Sequence, residues 1–569
     1  MSKKNKKSKK NYNLQLIPLG GVGEIGKNMF LLKYGRECII MDAGLKFPDE
    51  AMLGVDVVIP DTSYLLEQNL HILGIVLTHG HEDHIGAMPY IAEELNAPIY
   101  GTRLTLGLLE AKFMDNPVKS PEMREIEPDK TLVLSDNFKL NFFRTNHSIP
   151  DSVGVAVDTP EGTVVYTSDF KFDQTPVDGK ITEYYKLAEL GRNGVIAAIV
   201  DSTNADRPGY TLSEKEVGES IDEIFRLSKS RIILATFASN IHRIQQVIDA
   251  AVRHDRKVCV VGRSIENSVD ISTELGYLNI PKGVLLDTEK VKDLPPEMVV
   301  MITTGSQGEP MSALTRISQS EHRQVSIQPG DTVIIAANPI PGNEKLVART
   351  VNNLYQLRAE VIYQPVSGVH VSGHASEEEI KMMLNMLRPD YVIPVHGEYR
   401  QQARCLKIAQ KLDIPEDHVF LTKPGNVMEF SGGRGRMASS VSAGRVLVDG
   451  FGVGDVGEIV IRDRQTLSED GIVIIILAID PEQNKVLAGP EIISRGFVYV
   501  REASDLLEGA KNSLMKTVKK INNEKLNDWN KIKSKIRDSA SSYFYERTGR
   551  RPMILPIIID VPDENSSRK

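Results

Sequence analysis

Cysteine is scarce in this chain: three in 569 residues (Cys38, Cys259, Cys405), far apart in sequence. That spacing argues against a disulfide framework and against a thiolate zinc site. Cys38 and Cys259 lie in apolar, strand-like runs, where a thiol behaves as a small buried hydrophobe, and a reducing cytoplasm is the expected compartment. No apolar run reaches the ~18 residues needed to span a bilayer, so no membrane partner is expected. The lysines at the N-terminus have no apolar stretch and no cleavage site behind them, which excludes a signal-peptide reading. Positive charge is also short, with a net charge of −8, although the first ten residues carry six lysines and no acid. Residues 1–12 are therefore expected to form a disordered, solubilising basic tail. Any polyanionic substrate must be met by local features such as metal ions, arginines and helix N-termini.

Against this background stands His79-Gly80-His81-Glu82-Asp83-His84, with four candidate metal ligands in six residues. It follows the short apolar run Gly74-Ile75-Val76-Leu77, which reads as a buried strand, and precedes an expected helix from Gly86. Imidazole suits zinc or manganese, and a carboxylate lets a second ion share the site. The same arrangement recurs elsewhere. His147 ends Phe142-Phe143-Arg144-Thr145-Asn146, Asp169 follows the strand Val164-Val165-Tyr166-Thr167, His396 follows Tyr391-Val392-Ile393-Pro394-Val395, and Asp42 follows Cys38-Ile39-Ile40-Met41. Each ligand-type side chain sits where a hydrophobic strand stops, as active-site residues of open sheets commonly do. A lone histidine after a strand is usually just a polar cap; the joint recurrence points to one metal centre.

The length allows about three or four domains. Short strands alternate with turns from Leu14 to about Asp201. Strands alternate with helices from about Ser213 to Gln364, the signature of a parallel-sheet α/β domain. Histidines return after Gln364 (His370, His374, His396), so the α/β block reads as an insertion into another domain. A glycine-rich stretch from Gly444 to Gly457 suggests a linker. The last hundred residues read as strands Ile472-Leu477 and Ile554-Ile559 around a charged helix from about Ala503 to Ile536, without histidine and without expected chemistry.

The motifs Met41-Asp42-Ala43-Gly44, Thr78 to His84, Asn146-His147-Ser148-Ile149-Pro150 and Ser168-Asp169-Phe170-Lys171-Phe172-Asp173 resemble the metallo-β-lactamase superfamily, in its β-CASP branch. Within that branch the chain is similar to the bacterial ribonuclease J family. The features that carry this are Thr236-Phe237-Ala238-Ser239-Asn240, Thr304-Gly305-Ser306-Gln307-Gly308-Glu309-Pro310, His370-Val371-Ser372-Gly373-His374, Pro394 to Arg400, Ser494-Arg495-Gly496-Phe497-Val498-Tyr499 and Arg551-Pro552-Met553. The resemblance covers nearly everything beyond the lysine tail.

The fold it implies is α/β: a metallo-β-lactamase αββα sandwich with an inserted β-CASP α/β domain and a small C-terminal α+β domain. The expected boundaries are 13–212 and 367–449 for the two parts of the sandwich, 213–366 for the insertion, 450–468 for a linker and 469–569 for the C-terminal domain. The resemblance further implies two zinc ions, with manganese as an alternative. One would take His79, His81 and His147, the other Asp83, His84 and His396, with Asp169 bridging. Asp42 would orient a ligand histidine through its free ring N–H. His374 is the expected general acid, because a ribose alkoxide leaves poorly unless protonated or held by metal; Asp83 and Asp201 join it as catalytic candidates. Asp201 reads equally as a turn cap, and His370 equally as structural.

Ala238, Ser239 and Asn240 open a helix, Ile241-Ala251, and can offer N–H groups and a hydroxyl to phosphate; plain N-capping is the simpler reading. In the resembled family this turn and His370, Val371, Ser372, Gly373 and His374 hold the RNA's 5′ phosphate and neighbouring backbone. The implied activity is 5′-to-3′ exonuclease, preferring a 5′-monophosphate, with endonuclease activity, in messenger decay and ribosomal RNA maturation. Rival readings are a β-CASP DNA nuclease and a weakly active scaffold paralogue. All seven ligand positions are filled, which favours an active enzyme. The resemblance also implies a homodimer or homotetramer, or a hetero-oligomer with a paralogue, and a structural calcium near Asp49 and Asp449. Ser168 stands where the family more often has glycine; serine fits most turns, but not one demanding positive φ.

Overall fold

The computed structural model describes residues 12–116, 118–119, 121–307, 312–339, 343–363, 368–450, 452–480, 485–498, 503–524 and 529–560, so the basic tail lies almost wholly outside them. Two compact units emerge, Met1–Phe47 with Val57–Val446, and Pro48–Asp56 with Leu447–Lys569.

In the first unit, strands rich in branched residues build two sheets that bury a common core. One sheet runs Arg434–Met437, Met428–Ser431, Leu14–Gly20, Met29–Tyr34, Glu37–Met41, His71–Val76, Ile99–Gly101, Met123–Glu125. The other runs Tyr391–Val395, Ala197–Asp201, Gly162–Tyr166, Val153–Thr159, Lys139–Arg144, Leu132–Val133. Leu16, Phe30, Ile39 and Val76 from the first meet Phe142, Val155, Tyr166, Ile199 and Ile393 from the second. The second sheet's outer face, with Phe143, Val165, Ala198 and Val392, is covered by Leu187, Ile380, Met383 and Ile408 of the helices Tyr184–Asn193, Glu377–Leu387 and Tyr399–Gln410. Helix Arg103–Asp115 packs on the first sheet's edge strands. The αββα expectation is met.

Ala197–Asp201 and Tyr391–Val395 are parallel neighbours, with Asp201 opposite Val395. The chain between them leaves the sandwich and returns beside its point of exit, so the α/β block is an insertion. Its own sheet is wholly parallel, in the order Lys257–Val261, Val299–Thr303, Ile232–Ala235, Thr332–Ile335, Glu360–Ile362. The same closure carries Asp201 and His396 to one sheet end.

Three local expectations differ from what is observed. The helix after the histidine motif starts at Glu82, not Gly86: Glu82–Ile85 forms one turn and Met88–Leu95 a second helix. Acidic Glu82 and Asp83 suit a helix N-terminus, and Pro89 suits the start of a new helix. The stretch expected as a linker holds the strand Arg445–Asp449 and the helix Glu458–Asp470; the strand lies among glycines, and the helix, free of them, begins directly after Gly457. In the second unit the single charged helix is two, Ser504–Glu524 and Trp529–Thr548. They cover one face of a sheet ordered Lys485–Arg495, Ile472–Asp480, Met553–Asp560.

Candidate metal centre

The strands end in sharp turns that ordinary side chains rarely tolerate. Asp42, Ser168 and His396 adopt φ of 59°, 54° and 54° directly at or after strand ends. Such conformations are costly outside glycine and cluster where geometry is functional. Ser168 does occupy the positive-φ turn for which glycine is the easier residue. Its hydroxyl donates to Thr78 Oγ1 at 2.7 Å, a bond glycine cannot make, which helps offset the strain. Gly44 is required for a different reason: a Cβ there would lie 1.6 Å from the Asp83 carbonyl oxygen.

These turns bring seven side chains from four segments together. His79, His81, His147 and Asp169 form one group, and Asp83, His84, His396 and Asp169 another; in each, the ligand atoms lie within 4.8 Å of one another. His81 Nδ1 stands 3.2 Å from His79 Nε2 and 3.0 Å from His147 Nε2. Nitrogens bound tetrahedrally to one zinc at 2.0–2.1 Å are about 3.3 Å apart, so this spacing suits a shared ion. Burial pushes His81 down to about 4 and lowers His79 and His147 as well. Neutral rings are the form that binds metal. In the second group burial opposes protonation, but Asp169, Asp42 and Asp83 raise His84 to about 10. A divalent cation satisfies those carboxylates in place of ring protons. Asp169 Oδ2 lies 3.7 Å from His79 Nε2, 3.6 Å from His147 Nε2 and 3.3 Å from His84 Nε2, which puts it between both groups. The donor chemistry therefore fits metal ions on both sides of Asp169.

Around this centre, Asp42 is fully buried and its Oδ2 lies 2.8 Å from His84 Nδ1. Asp201 Oδ2 lies 2.8 Å from His374 Nδ1, so Asp201 is more than a turn cap, although its Oδ1 also accepts from Thr203 N. Against the pull of burial, Asp201 and then Asp169 raise the His374 ring above its ordinary value. The His374 side chain keeps 19% exposure, so it faces both the metal ligands and solvent.

The segment 370–374 divides its work. The Gly373 carbonyl meets His147 Nδ1 at 2.8 Å, and a Cβ on it would stand 2.7 Å from that ring, so this glycine also supports a ligand histidine. Ser372 Oγ accepts from Asn204 Nδ2 at 2.7 Å, Val371 is buried, and His370, held down to about 4 by burial and then by Arg243, belongs to neither ligand group. Asn240 is an N-cap, its Oδ1 accepting from Arg243 N at 3.1 Å, which leaves Ser239 and Ala238 partly exposed in the turn. Asp49 and Asp449 form no such ligand group among the described residues; Asp449 pairs with the Arg464 guanidinium at 2.6 Å, a cation already supplied by the chain.

Sequence reasoning missed three contributors. Tyr166 Oη donates to Asp42 at 2.9 Å, Thr203 Oγ1 lies 2.7 Å from both Asp201 Oδ1 and the His396 carbonyl, and Asn28 Nδ2 sits 3.1 Å from His84 Nε2. Thr203 lies beside a recognised motif residue and was findable there. Asn28 comes from a hairpin with no motif of its own.

Gly373→Ala is expected to displace His147 and cut metal affinity by about 10–100-fold, as loss of a ligand's outer partner does. Metal titration of the folded variant measures this, and unchanged affinity would remove Gly373 from the site.

Comparison with known proteins gives one answer. The chain matches families described as "Metallo-beta-lactamase superfamily" over residues 22–233, "Ribonuclease J, beta-CASP domain" over 229–354, "Zn-dependent metallo-hydrolase RNA specificity domain" over 358–415 and "Ribonuclease J C-terminal domain" over 459–561. It is 44% identical to Ribonuclease J2 of Bacillus subtilis, over 98% of this chain and 100% of that protein. It is 41% identical to Ribonuclease J 1 of Streptococcus pyogenes serotype M3, over 97% and 98%, and to Ribonuclease J 2 of Staphylococcus aureus, over 97% and 99%. A crystal structure of an Enterococcus faecalis protein of unknown function shares the fold, with a TM-score of 0.54 at 14% identity, covering 74% of this chain and all of that one.

Proposed function

The chain belongs to the ribonuclease J family, whose members are metallo-hydrolases that cleave RNA, and we propose that it degrades RNA stepwise from a 5′-monophosphorylated end, with internal cleavage as a second activity, in messenger decay and ribosomal RNA maturation. The observation that carries this reading is the pair of ligand groups joined through Asp169 with His374 beside them. His79, His81 and His147 would hold one zinc or manganese ion, Asp83, His84 and His396 a second, and Asp169 both. When bound, such a pair polarises the phosphoryl oxygens and activates a water for in-line attack.

The chain's own residues do the rest. Stepwise 5′-to-3′ action must regenerate a 5′-phosphate, so the bond broken is P–O3′. Asp201 holds His374 through Nδ1 and favours its protonated form, leaving Nε2 to deliver a proton to the departing 3′ oxygen. Asn240 is occupied as a cap and its N–H donates to the Phe237 carbonyl, so the Ser239 hydroxyl and the N–H groups of Ala238 and Ser239 are the groups left in this turn to take the 5′ phosphate, together with the segment 370–374. The relatives carry both paralogue numbers at close identity. The intact ligand set itself therefore bears the argument for turnover over a scaffold role.

Matched 5′-phosphorylated RNA and DNA strands, assayed with divalent metal supplied, test the substrate. RNA should be cleaved faster, and a 5′-triphosphate should slow it; faster DNA cleavage would overturn the assignment.

The oligomer is proposed to form through the second unit. Ile493, Ile474 and Leu555 align across its three strands, and with Ile557 and Ile559 they leave an apolar stripe on the face away from the helices. A second copy of the chain would cover it, and sedimentation of a Leu555→Lys variant should show a smaller species. Among the described residues no helix is long and apolar enough to cross a membrane. A cytoplasmic location is part of the proposal.

A further inference from the structure

Arg243 is a cation with no exposed surface, placed in the first turn of the helix Ile241–Arg253. Burying a guanidinium is costly unless it is paired and hydrogen-bonded. Its partners come from three separate elements. Nη2 donates to Glu214 Oε2 at 2.8 Å, where Glu214 opens the helix Glu214–Leu227. Nη1 donates to the Val369 carbonyl at 2.6 Å and the Ala336 carbonyl at 3.3 Å. Ala336 follows the strand Thr332–Ile335, and Val369 begins the segment that carries Gly373 and His374.

The network continues to the other side of the metal centre. Glu214 N donates to Asp173 Oδ2 at 3.0 Å, and Lys171 Nζ lies 3.6 Å from that oxygen and 4.0 Å from Glu214 Oε1. Lys171 N donates to the Asn146 carbonyl at 2.8 Å. Lys171 stands two residues after Asp169, and Asn146 immediately precedes His147. Buried charges of alternating sign thus run from the loops bearing Asp169 and His147 to the root of the segment bearing His374. None of these four side chains belongs to a ligand group among the described residues.

We propose that Arg243 is a positioning residue for RNA cleavage: by clamping the Val369 and Ala336 carbonyls it fixes the root of segment 369–374 and so the reach of His374 to the departing 3′ oxygen. The inference rests on the reading of His374 as general acid. Only a planar guanidinium meets two carbonyls and a carboxylate at once; an ammonium is a point donor and cannot span them.

Arg243→Lys keeps the charge and loses the clamp. It should lower kcat on 5′-monophosphorylated RNA by about 10²-fold, the usual cost of misplacing a reacting group by an ångström. Hydrolysis of bis(p-nitrophenyl) phosphate, whose nitrophenolate leaves without a proton, should fall far less than RNA cleavage when both are compared at equal metal content, which separates loss of His374 positioning from any shift of His147 through Gly373. If Arg243→Lys does not fold, Arg243→Met with Glu214→Gln removes the ion pair as a unit and carries the same expectation. Equal loss on both substrates, or no loss on RNA, would overturn the proposal. His374→Ala on the same substrates separates the two ideas. If it shows the selective loss and Arg243→Lys does not, Arg243 alone is dismissed; if it damages both substrates equally, the general-acid reading itself fails.

Discussion

His81→Ala and Asp83→Ala are each expected to abolish RNA cleavage, by about 10³–10⁴-fold, in a protein that remains folded. The magnitude follows from the several kcal/mol of charge stabilisation a metal supplies, at 1.36 kcal/mol per tenfold in rate. The two residues serve different groups: His81 stands with His79 and His147, Asp83 with His84 and His396. Each variant should therefore lose mainly one equivalent of metal, and elemental analysis beside the cleavage assay reads this directly. The fold should survive because neither side chain supports the local backbone. The turn is held by Ile85 N to His81 O at 2.9 Å and Gly86 N to Glu82 O at 2.7 Å, bonds that need no side chain. Asp83 also keeps 28% of its side chain exposed, so its loss leaves no sealed cavity. Full activity in either variant, with metal content checked, would refute the assignment.

Much of the centre was legible because ligand chemistry is local in sequence. His79 to His84 is a complete half-motif, and the strand-end positions of His147, Asp169 and His396 repeat one pattern. The insertion was also legible, since histidines resume after a run of alternating strands and helices. The shape of the supporting shell was not. Gly373 acts through its carbonyl and its missing Cβ, properties that motif reading assigns to no role. Asn28 and Arg243 are ordinary residues until the chain closes, when contacts 56 and 126 positions away define them. Helix starts and the C-terminal helix pair were misjudged because capping and packing, rather than periodicity, set those boundaries.

Asp42→Asn should weaken metal binding by about 10–100-fold and lower stability by about 1–3 kcal/mol, for one reason. Asp42 is fully buried and accepts throughout: Oδ1 from Thr78 N at 2.8 Å, Oδ2 from Tyr166 Oη at 2.9 Å, with His84 Nδ1 at 2.8 Å. Asparagine matches the size and tolerates the positive φ at this position, so neither packing nor backbone strain confuses the result. It cannot match the polarity. Whichever way its amide turns, an NH₂ faces a donor. If it faces His84, the ring relieves the conflict by moving its proton from Nδ1 to Nε2, the nitrogen directed at Asp169 and Asp83. A proton there occupies the lone pair a metal needs. If the amide turns the other way, Thr78 N loses its acceptor, and the cost appears as stability instead. Metal titration and thermal unfolding of the metal-free variant divide the two outcomes between them. Unchanged affinity with unchanged stability would show that Asp42 does not orient His84. Because Asp42 touches His84 alone among the ligand histidines in these bonds, the loss should fall on the ion shared by Asp83, His84 and His396, leaving the His79, His81 and His147 group able to load.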